Sequence, residues 1–228
     1  MSLFQLDPQS IAARVQASGQ PPHVPSLAAS VLRGIVGFTL VSVAGFAPWP
    51  IIDRWFPWMG ETGLYVASTA VFIGLSGPLL HRLIIGPGSL SRFCKIFTLA
   101  FTAYVIVWAA FWIWLRSEVG EFAGLLGGTA AMGMILAFAF DARRAVVKII
   151  AALFVLNAAG YCAGGWIEGK LAVYHRLEAI LLWGICYGIG LGAGLGLAFH
   201  FCQARVRFQG AGACPPRGAM RGGDAPAP

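Results

Sequence analysis

Charged side chains are scarce in this chain. They make up 11% of its 228 residues, against roughly 25% in an ordinary soluble domain. That shortage excludes a soluble fold. Cysteine is sparse too: five residues with no CxxC pair, which excludes a disulfide scaffold. No Asp or Glu falls deep inside any of the long apolar runs. Proton- or sodium-coupled transport uses an intramembrane group that changes charge, so an energy-coupled pump is not expected. The chain also lacks HExxH, a histidine box, paired phosphotransfer aspartates and a Walker loop. It therefore offers no catalytic constellation and no metal ligand set. The first 25 residues hold Asp7, Arg14, His23 and four prolines, and they lack the apolar core of a secretory leader.

What the sequence has in abundance is apolar length. Hydrophobic residues make up 58% and the mean hydropathy is +0.75. A membrane-spanning helix needs about 20 mostly apolar residues. Six runs qualify: Leu27–Pro48, Thr62–Ile85, Ile96–Leu115, Phe122–Phe140, Ala145–Trp166 and Ala179–Cys202. They are continuously apolar rather than alternating, so they are helices and not outer-membrane strands. The expected fold is all-α, a polytopic membrane bundle with six transmembrane helices. Residues 1–25 read as a cytoplasmic arm with a short amphipathic helix near Pro8–Gln16. Residues 26–204 read as the transmembrane domain. Residues 205–228, rich in Gly, Ala, Pro and Arg, read as a disordered basic tail.

The basic residues set an orientation. With the N-terminus inside, twelve Lys/Arg lie on the inner side and four on the outer side. Positive charge is retained in the cytoplasm, so both termini are expected there, with the protein in the inner membrane. The net charge of +7 follows from these loops and the tail and requires no nucleic-acid partner. The expected partners are the lipid bilayer and either further copies of the chain or a larger membrane complex. In this topology Trp49, Trp55, Trp58, Trp112, Trp114 and Trp166 gather at the outer interface, the layer indole rings favour. The segment Trp49–Gly60 is too short and broken to span and reads as an interfacial loop. At the inner turns, Ser89 or Ser91 is positioned to cap the third span and Asp141 the fifth.

The sixth span carries the strongest pattern. Gly184, Gly188, Gly192 and Gly196 recur every four residues, with Gly190 and Gly194 between them. Residues four apart share a helix face, so this is an extended ridge of small residues. It suits close helix packing within the protomer, an oligomer contact, or a pore-lining or cofactor-backing face. Asn157 is the one strongly polar side chain at mid-depth. Its expected role is a bond across to Tyr104, Thr102 or Tyr187.

Two histidines share a setting. Gly77 precedes His81 by four residues at the inner end of the second span, and Gly196 precedes His200 by four at the inner end of the sixth. A glycine one turn above a histidine leaves room for a planar ring, and two such histidines can ligate one b-type haem. Gly74–Gly77 (GLSG) is similar to the GxSG around the nucleophile of rhomboid-type intramembrane proteases. The residues around His200 (AFHFC) do not carry that family's histidine context, and Ser76 beside Pro78 reads as a kink. Cys162 and Cys186 read as small core residues. No inverted repeat relates the two halves.

Three functions follow as expectations. The first is a passive channel or facilitator, or an accessory subunit, in which the glycine-rich sixth span packs closely or lines a pore. The second is a redox protein that holds haem b or a quinone through His81 and His200. The third is an intramembrane enzyme, with Ser76, His81, His200, Glu121 and Glu178 as its only candidates. The two glutamates lie on the outer side, roughly 30 Å of hydrocarbon from the histidines, which argues against a shared site.

Overall fold

The computed structural model of the chain describes residues 4–19, 24–49, 58 and 60–207. The chain is helical, with no strand among the described residues. A short helix α1 (Pro8–Ser18) precedes six long ones: α2 (Leu27–Phe46), α3 (Gly60–Leu80), α4 (Ser89–Leu115), α5 (Glu118–Ala139), α6 (Val146–Leu171) and α7 (Arg176–Cys202). All six long helices are long and apolar enough to cross a membrane. This is the build of a multi-pass membrane protein. Most of the Trp49–Gly60 loop and the tail from residue 208 onward lie outside the described residues.

The helices extend past the apolar runs that announce them. α4 begins at Ser89 rather than near Ile96, and α6 continues to Leu171 rather than Trp166. Polar residues outside the apolar core still satisfy their backbone within the helix, so the ladder continues until a cap or an unfavourable φ stops it. Ser26 caps α2 by accepting from Ala29 N at 3.2 Å. Ser117 caps α5 by accepting from Gly120 N at 3.3 Å.

Two expected caps are corrected. The N-cap of α4 is Gly88, at φ 71°, and it makes no side-chain cap bond. A serine cannot take that left-handed position cheaply, so Ser89 falls inside the helix. The turn before it is held instead by Arg92. Its Nη2 donates to the carbonyls of Ile85, Gly86 and Pro87 at 3.1, 3.1 and 2.8 Å. Asp141 does not cap α6 either. It sits at φ 51° and its carboxylate meets Arg205 Nη1 at 3.1 Å. α6 is preceded by a 3-10 turn, Arg143–Ala145.

Packing follows chain order. Each long helix lies against its sequence neighbours, and α7 returns to lie against α2. The six helices therefore close into a ring. α1 docks on one end of it. Asp7 caps α1, accepting from Ser10 N at 2.9 Å. Leu6 and Ile11 are completely buried, and Ile11 and Val15 approach Gly86 in the turn before α4. The end carrying α1 is called the arm end; the other end carries the connections α2–α3, α4–α5 and α6–α7.

Glycine sets the closeness of the ring. A Cβ at Gly188 would stand 2.6 Å from Thr39 Cα, and one at Gly192 would overlap the Gly34 carbonyl oxygen. A Cβ at Gly196 would meet Ser30 and Val31. Gly190 and Gly194 face the other way, against Leu156, Gly160 and Leu153 of α6. α7 thus presents small residues on two sides and is clasped by α2 and α6. Dispersion contacts are gained only at close approach, and this is how small-residue ridges hold helices in lipid.

Candidate functional site: an aromatic vestibule on the bundle axis

At the end opposite the arm the ring opens into a cavity of about 460 Å³. That volume lies within the range of small-molecule pockets, roughly 300–1,000 Å³. All six long helices contribute to its wall, each at the end nearest the opening. The cavity is therefore central, not a groove between two helices.

Its mouth is a collar of six aromatic side chains in sequence around the ring. Trp108 contacts Tyr65 (ring centroids 5.8 Å), Tyr65 contacts Trp49 (5.7 Å) and Trp49 contacts Phe46 (5.4 Å). Phe46 then contacts Trp183 (4.5 Å) and Trp183 contacts Tyr161 (5.5 Å). Every contact is edge-to-face, with interplanar angles from 68° to 79°, the arrangement the ring quadrupoles favour. Between Tyr161 and Trp108 the lining is completed by Glu121 and Glu168, and Glu121 is within hydrogen-bonding reach of the Tyr161 hydroxyl. No Lys, Arg or His among the described residues belongs to the lining.

Each ring has a socket or a tether. A Cβ at Gly164 would stand 2.6 Å from Trp183 Cδ1, one at Gly124 3.1 Å from Trp108 Cδ1, and one at Gly184 3.1 Å from Phe46 Cδ2. The missing methyls let these large side chains sit flush against the next helix. Trp49 is tethered by its indole N–H, which donates to Ser68 Oγ at 2.6 Å, while Ser68 donates to the Gly45 carbonyl at 2.9 Å.

The floor is polar at one spot and otherwise aromatic. Asn157 Nδ2 donates to the Tyr104 hydroxyl at 3.1 Å, and the Tyr187 hydroxyl donates to the same oxygen at 3.4 Å. Asn157 is wholly buried; the cluster pairs its amide NH2, which would be costly to bury alone, while its Oδ1 has no partner among the described residues. Gly128 makes room for Tyr104, whose Cδ2 would lie 2.7 Å from a Cβ there. Below the floor the axis is closed. Phe38 packs on Phe72, Phe97, Phe101 and Tyr187 with centroids 5.5–6.3 Å apart. Phe93 and Phe199 continue the plug toward the arm end.

The glycines singled out in the sequence lie elsewhere. Gly184, Gly188, Gly192 and Gly196 face α2 and are filled by its backbone and side chains, and none of them lines the cavity. α7 reaches the cavity through Ile180, Trp183 and Tyr187. His81 and His200 lie at the arm end, one in the 3-10 turn after α3 and the other in the last turn of α7. The space expected beside each is occupied. A Cβ at Gly77 would be 2.6 Å from Cys94 Sγ, and one at Gly196 2.7 Å from Val31 Cα. His81 Nδ1 is engaged with the Pro78 carbonyl at 3.1 Å. His200 Nδ1 is buried and has no hydrogen-bond partner among the described residues.

The enzyme candidates do not converge. Ser76 is buried in α3, with Pro78 inside the same helix. Glu178 pairs with His175 at 3.7 Å, both exposed. Glu121 belongs to the vestibule, at the far end of the bundle from the two histidines. Cys162 and Cys186 are free thiols.

No protein-family model matches the sequence, and comparison with curated proteins and with solved structures finds no match.

Proposed function

We propose that this chain is an inner-membrane protein with both termini in the cytoplasm that acts as a passive facilitator for a small solute, which enters through the vestibule from the outer side. The observation that carries the reading is the position of the vestibule. It lies on the axis of a closed ring, and all six helices contribute to it. A cofactor pocket or a packing defect needs only two or three helices. A translocation path needs the axis. The floor is a plug of side chains rather than backbone, and aromatic side chains can change rotamer without unfolding a helix.

Two further points support the reading. The excess of Lys/Arg on the arm side agrees with a cytoplasmic arm end. No carboxylate lies at the level of the floor, so no group is available there for ion coupling. The glycine ridge is consumed inside the protomer, so it is assigned to the integrity of the ring and not to an oligomer contact or a pore wall.

The test is osmotic swelling of liposomes carrying the purified protein, in glycerol, acetate and tetramethylammonium chloride. Gly165 lines the cavity and a side chain there meets open space, so Gly165→Trp fills the mouth without disturbing the bundle. The expected result is protein-dependent swelling in at least one solute, reduced at least tenfold by Gly165→Trp. Equal swelling in the folded variant, or none above empty liposomes in any solute, overturns the reading.

A further inference from the structure

We infer that the vestibule is a binding site for a small organic cation, an ammonium head such as a quaternary or protonated amine. This deepens the facilitator reading and rests on the same cavity.

Three features of the wall converge. The collar is built from six aromatic rings held at steep angles to one another, so it presents π-faces as well as edges toward the space it encloses. Ring faces carry the negative end of the quadrupole and attract ammonium groups, tryptophan most of all. Three of the six rings are indoles, Trp49, Trp108 and Trp183. Among the described residues, the gap in the collar between Tyr161 and Trp108 is lined by two carboxylates, Glu121 and Glu168, and neither makes an ion pair there. No basic side chain among the described residues shares the lining. The described wall therefore contributes negative potential from both sources, ring faces and carboxylates.

The alternatives are disfavoured by the same wall. A sugar or other polyol would find the two carboxylates and the buried Trp108 indole N–H, which has no partner among the described residues, but these acceptors and one donor are few for its many hydroxyls, and they leave the ring faces and the negative charge unused. Here the Trp49 indole N–H is committed to Ser68, Ser68 to a carbonyl, and the Tyr187 hydroxyl to Tyr104. An anion would face two carboxylates with no counter-charge among the described lining residues. A bare metal cation needs six or more oxygen ligands for calcium or a near-octahedral shell for magnesium, and no cluster of three metal-ligating side chains occurs among the described residues. An organic cation is large, weakly hydrated and satisfied by ring faces. The cavity volume of about 460 Å³ accommodates such a head together with a short substituent.

The test uses two molecules of the same shape. Choline and 3,3-dimethylbutan-1-ol differ by nitrogen for carbon, and so by one positive charge. Each is titrated into the full-length protein in detergent while tryptophan fluorescence is recorded. The expected result is saturable quenching by choline, with an apparent Kd at least tenfold lower than that of the alcohol. The double variant Glu121→Gln, Glu168→Gln should weaken choline at least tenfold and leave the alcohol unchanged. A conservative Trp183→Phe should retain choline binding better than Trp183→Leu, and gel filtration of each variant checks the fold. If the alcohol binds as tightly as choline, the cation assignment falls while the vestibule remains a solute site. If neither binds, or the double variant binds choline as before, the inference is overturned. If choline binds with this signature but Gly165→Trp leaves liposome swelling unchanged, the ligand class stands and the facilitator reading falls.

Discussion

Gly164 and Trp183 occupy one volume: a Cβ on the glycine would lie 2.6 Å from the indole Cδ1. A Cβ on the neighbouring Gly165 would have no atom within 4 Å. Two adjacent glycines of α6 therefore differ completely in what they tolerate. Gly164→Ala must push Trp183 off its seat against Phe46 and Tyr161, and overpacking of this kind costs about 1–3 kcal/mol. Gly165→Ala should be neutral or slightly stabilising, since alanine is the better helix former by about 1 kcal/mol. Unfolding in mixed micelles with increasing SDS measures both. Equal stability of the two variants would show that Trp183 is not seated as described.

The ridge on α7 makes a sharper case. At Gly192 an added side chain meets the Gly34 carbonyl, and at Gly34 it meets the Gly192 carbonyl. Backbone cannot retreat as a flexible side chain can. Gly192→Leu should therefore separate α2 from α7 and cost more than Gly164→Ala. An inserted variant that melts like the parent would contradict the packing. Any loss of transport in Gly192→Leu is expected to track loss of the fold, whereas Gly165→Trp should lose transport with the fold intact.

Much of this architecture is legible in the sequence, because hydrocarbon imposes strong rules. Six long apolar runs admit little except six helices, and those helices are present. Asn157 stands out because one amide among so many apolar side chains must find a partner, and Tyr104 provides it. The glycine period of four was visible, but not which side it served. Periodicity reports a face of a helix, whereas the occupant of that face is decided by the ring order. The vestibule was hidden for the same reason. Phe46, Tyr65, Trp108, Tyr161 and Trp183 come from different helices, and none forms a motif with its chain neighbours. A clue was present: Gly120, Gly124 and Gly128 in α5 repeat the period of four, and two of them seat Trp108 and Tyr104. Beside the two histidines, a glycine one turn away leaves room only where no neighbouring helix takes it, and here Cys94 and Val31 take it.

The Asn157–Tyr104 bond has a measurable strength. Interhelical hydrogen bonds in membranes average about 0.6 kcal/mol, rarely above about 1.7. Asn157→Ala and Tyr104→Phe, alone and together, form a double-mutant cycle. The expected coupling is about 0.5–1.5 kcal/mol in the SDS titration. Tyr187→Phe should give a smaller coupling with Tyr104→Phe, because that contact is 3.4 Å long. A coupling indistinguishable from zero for Asn157 and Tyr104 would mean that the two groups are not bonded.

At the arm end, one side chain ties α7 to the turn after α3. Gln203 Oε1 accepts from Ile85 N at 2.8 Å, and its Nε2 donates to the carbonyls of Leu83 and Phe199 at 2.8 and 2.9 Å. The same turn is gripped from the other side by Arg92. Gln203→Leu keeps the volume but leaves a buried backbone N–H without a partner, at a cost of about 1–3 kcal/mol. The arm should respond as well. Ile11 and Val15 rest against Gly86 in this turn, so a turn released from Gln203 no longer offers α1 a fixed surface. Limited proteolysis reads this directly: Gln203→Leu should expose Arg14, within α1, to trypsin faster than in the parent protein, while cleavage at Arg116, at the opposite end of the bundle, stays unchanged. Parallel rates at both sites would indicate general loosening and would remove the latch role of Gln203.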